Sequence, residues 1–170
     1  MRPASAQDAN AIGVLHARCV PDLFAGRLGD YMPPPDERAA RERSWTGPIG
    51  APCERHALLV AERCERVIGF VAVGPTRDAD HDSQSTGELR TVMLAVDARG
   101  LGVGQMLVAA GECAMRDRGL STATLWVVPE NSAAVRCYDR CGWRPDGSKR
   151  LIEVGGHEIR AIRYRKQLVP

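Results

Sequence analysis

The segment from Glu88 to Trp143 constrains the fold more than any other part of the chain. It reads "ELRTVMLAV", then "DARGLGVG", then "QMLVAAGECAMRDRG" and "TATLWVV". The first run is continuously apolar through Val92, Met93 and Leu94, which predicts a strand buried on both faces. Met106, Leu107, Ala110, Cys113 and Ala114 then fall on one helical stripe, and Gly119 supplies a C-terminal stop. A strand, a helix and a second buried strand in that order predict a right-handed parallel crossover. "NSAAVRCYDRCG" follows as a second helix, with Asn131 or Ser132 as N-cap and Gly142 as its left-handed terminator.

The flanks add antiparallel material. "SAQDANAIGVLHARC" offers Ser5 and Asp8 as caps and sets Ile12, Leu15 and Cys19 at helical spacing, an amphipathic first helix. From Phe24 to Trp45 a proline cluster, three large aromatics and a charged helix candidate over Asp36–Arg43 suggest a flap over a site. "HALLVAE" and "VIGFVAVG", separated by "RCER", predict a hairpin, and "KRLIEVGGHEIRAIRYRKQL" predicts a closing hairpin around its two glycines. "PTRDADHDSQSTG" reads as a solvated, mobile loop rather than a metal site. The expected architecture is mixed α/β. With 170 residues, 44% of them hydrophobic, one domain over 1–170 is the expectation.

Several function classes are excluded. Twenty-three basic and twenty-one acidic residues leave a net charge of +2, without the basic excess of a dedicated nucleic-acid binder. The six cysteines contain no CxxC pair and do not combine with the four histidines at zinc-site spacing. No apolar run approaches the roughly 18 residues of a membrane span, and the N-terminus lacks a signal-peptide core. A cytoplasmic protein with neutral thiols, no metal and no membrane or nucleic-acid partner is expected.

"DARGLGVG" brings glycines at 100, 102 and 104 into the turn before a helix, where backbone N–H groups and the helix dipole favour an anion. A Walker loop is excluded, because Gln105 and Met106 stand where Lys and Ser or Thr are needed. The dinucleotide fingerprint fails as well: the spacing is G-x-G-x-G, and no acidic residue follows at about 20 positions. The plain structural alternative is a tight turn whose glycines serve backbone angles alone. Glu88 upstream, Asn131 at the next helix start and Tyr138 two turns further on the same face strengthen the ligand reading.

These residues resemble the GCN5-related N-acetyltransferase superfamily. "RGLGVG" matches its R/Q-x-x-G-x-G/A motif at Arg99, Gly102 and Gly104, and "NSAAVRCYDRCGW" matches N-x-x-A-x-x-x-Y followed by glycine and an aromatic. The resemblance implies a central mixed sheet, flanked by helices, whose parallel strands Glu88 to Val96 and Thr122 to Val128 splay to admit the pantetheine arm of acetyl-CoA. It further implies that the main chain of Val92, Met93 and Leu94 pairs with the pantetheine amides. Gly100, Leu101, Gly102, Val103, Gly104 and Gln105, with Arg99, would hold the pyrophosphate, and Asn131 would bond nearby.

Acyl transfer from a thioester to an amine needs a proton acceptor, a polarised carbonyl and a donor to the departing sulfur. Glu88 is placed like the family's carboxylate base, with a salt bridge to Arg90 as its alternative. Tyr138 is the candidate acid, with a core aromatic as its alternative, and the Leu94 N–H is the candidate oxyanion donor. Arg136 and Arg140 are candidates for the 3′-phosphate of coenzyme A or are solvated helix charges. No cysteine has the partnered histidine of an acyl-enzyme nucleophile, so direct transfer is expected. Trp126 stands where the branch that acetylates protein N-termini carries a glutamate, which favours a small-molecule primary amine. A protein acceptor, a carrier-protein donor, a non-catalytic coenzyme A sensor and a homodimer remain as alternatives. The acceptor is expected between Phe24 to Trp45, the Asp78 to Asp82 loop and His157, with Asp22, Asp30 and the loop aspartates drawing in a cationic amine.

Overall fold

The computed structural model describes residues 1–23, 55–154 and 157–168. In chain order, the elements are β1 (Arg2–Pro3), a 3-10 turn (Ala6–Asp8), α1 (Ala9–Leu23), β2 (Ala57–Arg63), β3 (Arg66–Pro75) and β4 (Thr86–Leu94). A second 3-10 turn (Val96–Ala98), α2 (Val103–Arg116), β5 (Thr122–Val127), α3 (Ser132–Arg140), β6 (Arg144–Val154) and β7 (His157–Gln167) complete them. The expected flap from Phe24 to Trp45 and the Gly155–Gly156 turn lie outside the described residues.

The strands form one mixed sheet in the order β1-β2-β3-β4-β5-β7-β6. Every neighbouring pair is antiparallel except β4 and β5, which run parallel and are linked through α2 as the crossover predicts. The expected first hairpin joins β2 and β3 through Cys64 and Glu65, both at positive φ (49° and 60°), as a two-residue turn of matching twist requires. β1 is an addition: two residues carry no periodic signal, yet Arg2 and Pro3 pair with Val60 and Leu59.

Opposite faces of the sheet are covered by different helices. Ile12, Leu15 and Cys19 of α1 pack with Val60, Phe70 and Met93, so the expected first-helix stripe is the one that buries. On the other face Leu107, Val108, Ala114 and Met115 of α2 join Val71, Val73, Leu89, Tyr138 and Trp143. Phe70 and Val71 are adjacent and both wholly buried, which explains the unbroken apolar run of β3.

The buried stripe of α2 differs from expectation. Met106 is 57% exposed and Cys113 is exposed, whereas Leu107, Val108, Gly111, Ala114 and Met115 are buried. The helix is apolar on most sides, so its sequence admits two rotations. The sheet selects the one that turns Leu107 and Met115 inward.

Both predicted helix stops hold. Leu120 N donates to Met115 O (3.1 Å) and Gly119 N to Arg116 O (2.8 Å), a Schellman closure with Gly119 at φ 76°. Gly142 (φ 82°) ends α3 in the same way, with Trp143 N donating to Tyr138 O at 3.0 Å. An added Cβ at Gly119 meets nothing within 4 Å, so Gly119→Ala tests backbone strain alone. We expect a loss of about 1–2 kcal/mol, read as a thermal midpoint lower by roughly 2–8 °C. An unchanged midpoint would contradict the left-handed closure.

Candidate functional site

β4 and β5 are hydrogen-bonded only over Thr86–Thr122, Gly87–Ala123 and Glu88–Thr124. Beyond Glu88 the strands part, and the register of β3 against β4 is interrupted where Arg90 bulges between Leu89 and Thr91. Thr124, fully buried, closes the base of the fork by donating to Gly87 O at 3.3 Å. A cavity of about 650 Å³ opens from this fork, bordered by β4, β5, the glycine loop and α3.

The ladder determines which main-chain groups face the fork. Ala95 N donates to Ile68 O at 2.9 Å, making these two a hydrogen-bonded pair. Stepping back along the register, Met93 and Phe70 form the next such pair, while Leu94 and Val92, opposite Gly69 and Val71, turn their N–H and C=O groups away from β3. Two of the three expected residues therefore offer main chain to the gap. Met93 lines the cavity, but its main chain pairs with Phe70. Cys19 reaches over from α1 and donates from Sγ to Leu94 O at 3.2 Å.

The glycine loop leads into an uncapped helix. Gly102 is the N-cap in left-handed conformation, φ 79°, with no side-chain cap, and the first bond of the ladder is Met106 N to Gly102 O. The N–H groups of Val103, Gly104 and Gln105 thus precede the first helix-bonded N–H, that of Met106, the arrangement that receives an anion. Gly100 is also left-handed (φ 75°), and open space surrounds the Cβ position of both glycines. Arg99, Arg136 and Arg140 line the same end of the cavity.

A sequence model of the acetyltransferase (GNAT) family matches residues 22–143. The chain belongs to the acetyltransferase (GNAT) family. Its sequence is 37% identical over 112 residues to the mycothiol acetyltransferase of Cellulomonas flavigena, covering 64% of this chain and 30% of that protein. The chain spans about a third of the length of the curated relatives it matches. Among solved structures, an N-acetyltransferase from Staphylococcus aureus Mu50 superimposes with a TM-score of 0.74 at 20% identity, covering 99% of this chain and 97% of that one. The PaiA N-acetyltransferase of Thermoplasma acidophilum in complex with coenzyme A gives 0.73 at 17%, covering 98% and 96%. At those identities the likeness is one of fold, and the GNAT-like mixed sheet expected from the motifs is the fold observed.

Within this GNAT chain, Glu88, Tyr138, Asn131, Arg99, Gly100, Gly102, Gly104 and Gln105 all reach one cavity with Val92 and Leu94. Leu101 and Val103, expected with them, do not line the cavity: Leu101 is 61% exposed, and Val103 packs against the core. Glu88 is buried and accepts two bonds from Arg77, from Nε at 2.8 Å and from Nη2 at 2.7 Å, with Arg90 Nε at 3.8 Å. The pairing to Arg90 was foreseeable from the sequence; the dominant partner is Arg77, eleven residues away across a loop. Asn131 Oδ1 accepts from Ala134 N at 3.1 Å, so its capping role is real and coexists with its place on the cavity wall.

Tyr138 is held by Trp143 and Tyr164, with ring centroids 6.4 and 6.5 Å away. Burial pushes its phenol above the ordinary value, so it stays protonated throughout the neutral range. The Cys137 thiol, also on the wall, is pushed up to about 11 by burial, and that of Cys141 rises for the same reason. Such thiols are poor nucleophiles at neutral pH.

The loop after β3 is largely solvent-exposed, as expected, but Asp78 departs from that expectation. The Asp78 side chain is only 9% exposed, accepts from Trp126 Nε1 at 3.0 Å and pairs with Arg163 at 3.3 Å. Asp80 takes two further bonds from Arg163, at 2.7 and 2.6 Å. The cause is a buried cation on β7, which needs acidic partners from a segment some eighty residues away. Asp82 accepts from Gln84 N and Ser85 Oγ within its own turn. Among the described residues no group of three or more His, Cys, Asp or Glu is placed to hold a metal, and no helix is long and apolar enough to cross a membrane. Asp30 and the Asp22 and His157 side chains lie outside the described residues.

Proposed function

We propose that the chain is one acetyltransferase domain that transfers the acetyl group of acetyl-CoA directly to a primary amine of a small molecule. The observation that carries this reading is the fork: strands that part after Glu88, main-chain groups of Val92 and Leu94 turned into the gap, and an uncapped α2 N-terminus at its end. A peptide-like arm laid along β4 would use ordinary strand bonds. Acetyl-CoA supplies the activated thioester. Its phosphates suit the amides of the glycine loop, and Arg99, Arg136 and Arg140 favour a donor carrying a nucleotide over a carrier-protein pantetheine. The mycothiol acetyltransferase relatives support a small-molecule acceptor.

In this reading Glu88 receives the amine proton, directly or through water, on the lone pairs that Arg77 leaves open. The Leu94 N–H donates to the carbonyl oxygen as negative charge develops there. Tyr138 donates a hydrogen bond to the departing sulfur. An alkyl thiol near pKa 8.5 is more acidic than a tyrosine phenol, so the raised Tyr138 acts by that hydrogen bond and coenzyme A departs as the thiolate. The new C–N bond replaces C–S, the amine proton held at Glu88 passes to solvent, and the released thiolate takes its proton from solvent.

Thiol release from acetyl-CoA across a panel of amines, with mass detection of the product, tests the reading. Glu88→Gln is expected to lower kcat about 100-fold with coenzyme A affinity retained. Absence of turnover with every amine, together with tight coenzyme A binding, would favour a sensor over an enzyme.

A further inference from the structure

We infer that the acceptor amine also carries an oxyanion group, a carboxylate or a phosphonate, which Arg150 binds where its guanidinium lies over Trp126. This rests on the acetyltransferase reading above and specifies the substrate class of that same site.

Charge on the cavity wall is lopsided. Among the described residues that line it, six are arginines and one, Glu88, is acidic. Arg99, Arg136 and Arg140 belong to the glycine-loop end and answer to the phosphates. The other three, Arg77, Arg90 and Arg150, come from the loop after β3, from β4 and from β6. Arg77 is spent on Glu88 in two bonds, and Arg90 sits against the same carboxylate. Among the described residues, Arg150 makes no hydrogen bond to an acid, only an ion pair as long as that of Arg90. Its nearest carboxylate is Asp78 at 3.8 Å, which already receives Trp126 Nε1 and pairs with Arg163.

The geometry around Arg150 is that of a held donor. The centre of its guanidinium stands over the Trp126 ring, 4.2 Å from the centroid, a cation–π contact that holds the charge at the cavity wall. Its Nε is buried and has no hydrogen-bond partner, and no hydrogen bond from its other nitrogens is made to the described residues. The side chain is 39% exposed and lines the cavity, so a ligand can reach it. A planar fork of N–H groups meets the two oxygens of a carboxylate edge to edge. Burial and the neighbouring cations Arg77 and Arg163 lower the Arg150 pKa despite the pull of Asp78 and Glu88, so an added anion is welcome there. Ile152 on the same wall offers apolar surface to the carbon skeleton between amine and anion. Of the aspartates expected to draw in a cation, Asp78 and Asp80 are instead tied to Arg163.

The test uses the purified full chain and matched acceptors: amino acids, their carboxamides, the corresponding decarboxylated amines and the aminophosphonates. We expect kcat/KM to fall about 100-fold when the anion is removed, mainly through KM. In Arg150→Gln that discrimination should shrink to about threefold, and Arg150→Lys should restore part of it. Coenzyme A affinity by calorimetry serves as the control for folding. A preference for carboxylate or for phosphonate identifies the anion; equal use of carboxamides or of decarboxylated amines overturns the inference while leaving the acetyltransferase reading intact. If no amine is acetylated, binding of N-acetylated amino acids to the coenzyme A complex decides the subsite separately. Arg150-dependent binding sustains it, and no binding overturns it.

Discussion

Tyr138→Phe should lower kcat about 1,000-fold, within the range of about 10²–10⁴ for a positioned donor, while leaving acetyl-CoA affinity and fold unchanged. The phenylalanine ring keeps the contacts with Trp143 and Tyr164. The loss should fall on kcat and kcat/KM alike, because the bond to sulfur strengthens as charge develops there. Acetyl thioesters of better-leaving thiols, used as donors, supply a second readout: with a more acidic thiol as leaving group, the penalty should shrink towards tenfold. Turnover within threefold of the native chain would remove Tyr138 from the chemistry and leave it as a core aromatic.

Trp143→Ala should destabilise the chain by about 4 kcal/mol, in the range for emptying a large buried aromatic site. Trp143 is completely buried, and its indole Nε1 donates to Glu112 at 2.8 Å. Glu112, itself buried, also accepts from Lys166 at 2.7 Å, so the truncation leaves a cavity and removes one of its carboxylate's donors. Against a typical total of about 5–15 kcal/mol, the loss should lower the thermal midpoint by roughly 8–16 °C. Trp143→Phe, which keeps most of the packing and loses the hydrogen bond, should recover about half of it. A change under about 1 kcal/mol for the alanine variant would contradict the burial described. Activity should fall only as far as Tyr138 loses its support.

The legibility of this protein follows the range of the forces involved. Gly119 and Gly142 marked the ends of α2 and α3 because a left-handed residue is a local requirement that few side chains meet. Asn131 was readable as a cap for the same reason. The glycine loop pointed to an anion, and Glu88 and Tyr138, at motif spacing, pointed to the same cavity. The facing of α2 was not readable, since Met106 and Leu107 are equally apolar and only the sheet distinguishes them. Nor was the partner of Glu88, because Arg77 returns to it across a loop whose path the local sequence leaves open.

Sequence by itself determined the strand-helix-strand core, the helix stops, the family motifs and the proposed donor end of the site, all of which depend on neighbours within a turn or on a fixed backbone preference. Tertiary structure alone brought together the residues of the proposed acceptor end. Arg150 on β6, Trp126 on β5 and Asp78 in the loop after β3 are remote in the chain and meet only because β7 lies between β5 and β6 and buries Arg163, which gathers the aspartates and leaves Arg150 facing the cavity. Electrostatic compensation of a buried cation acts through space, so no spacing in the sequence records it.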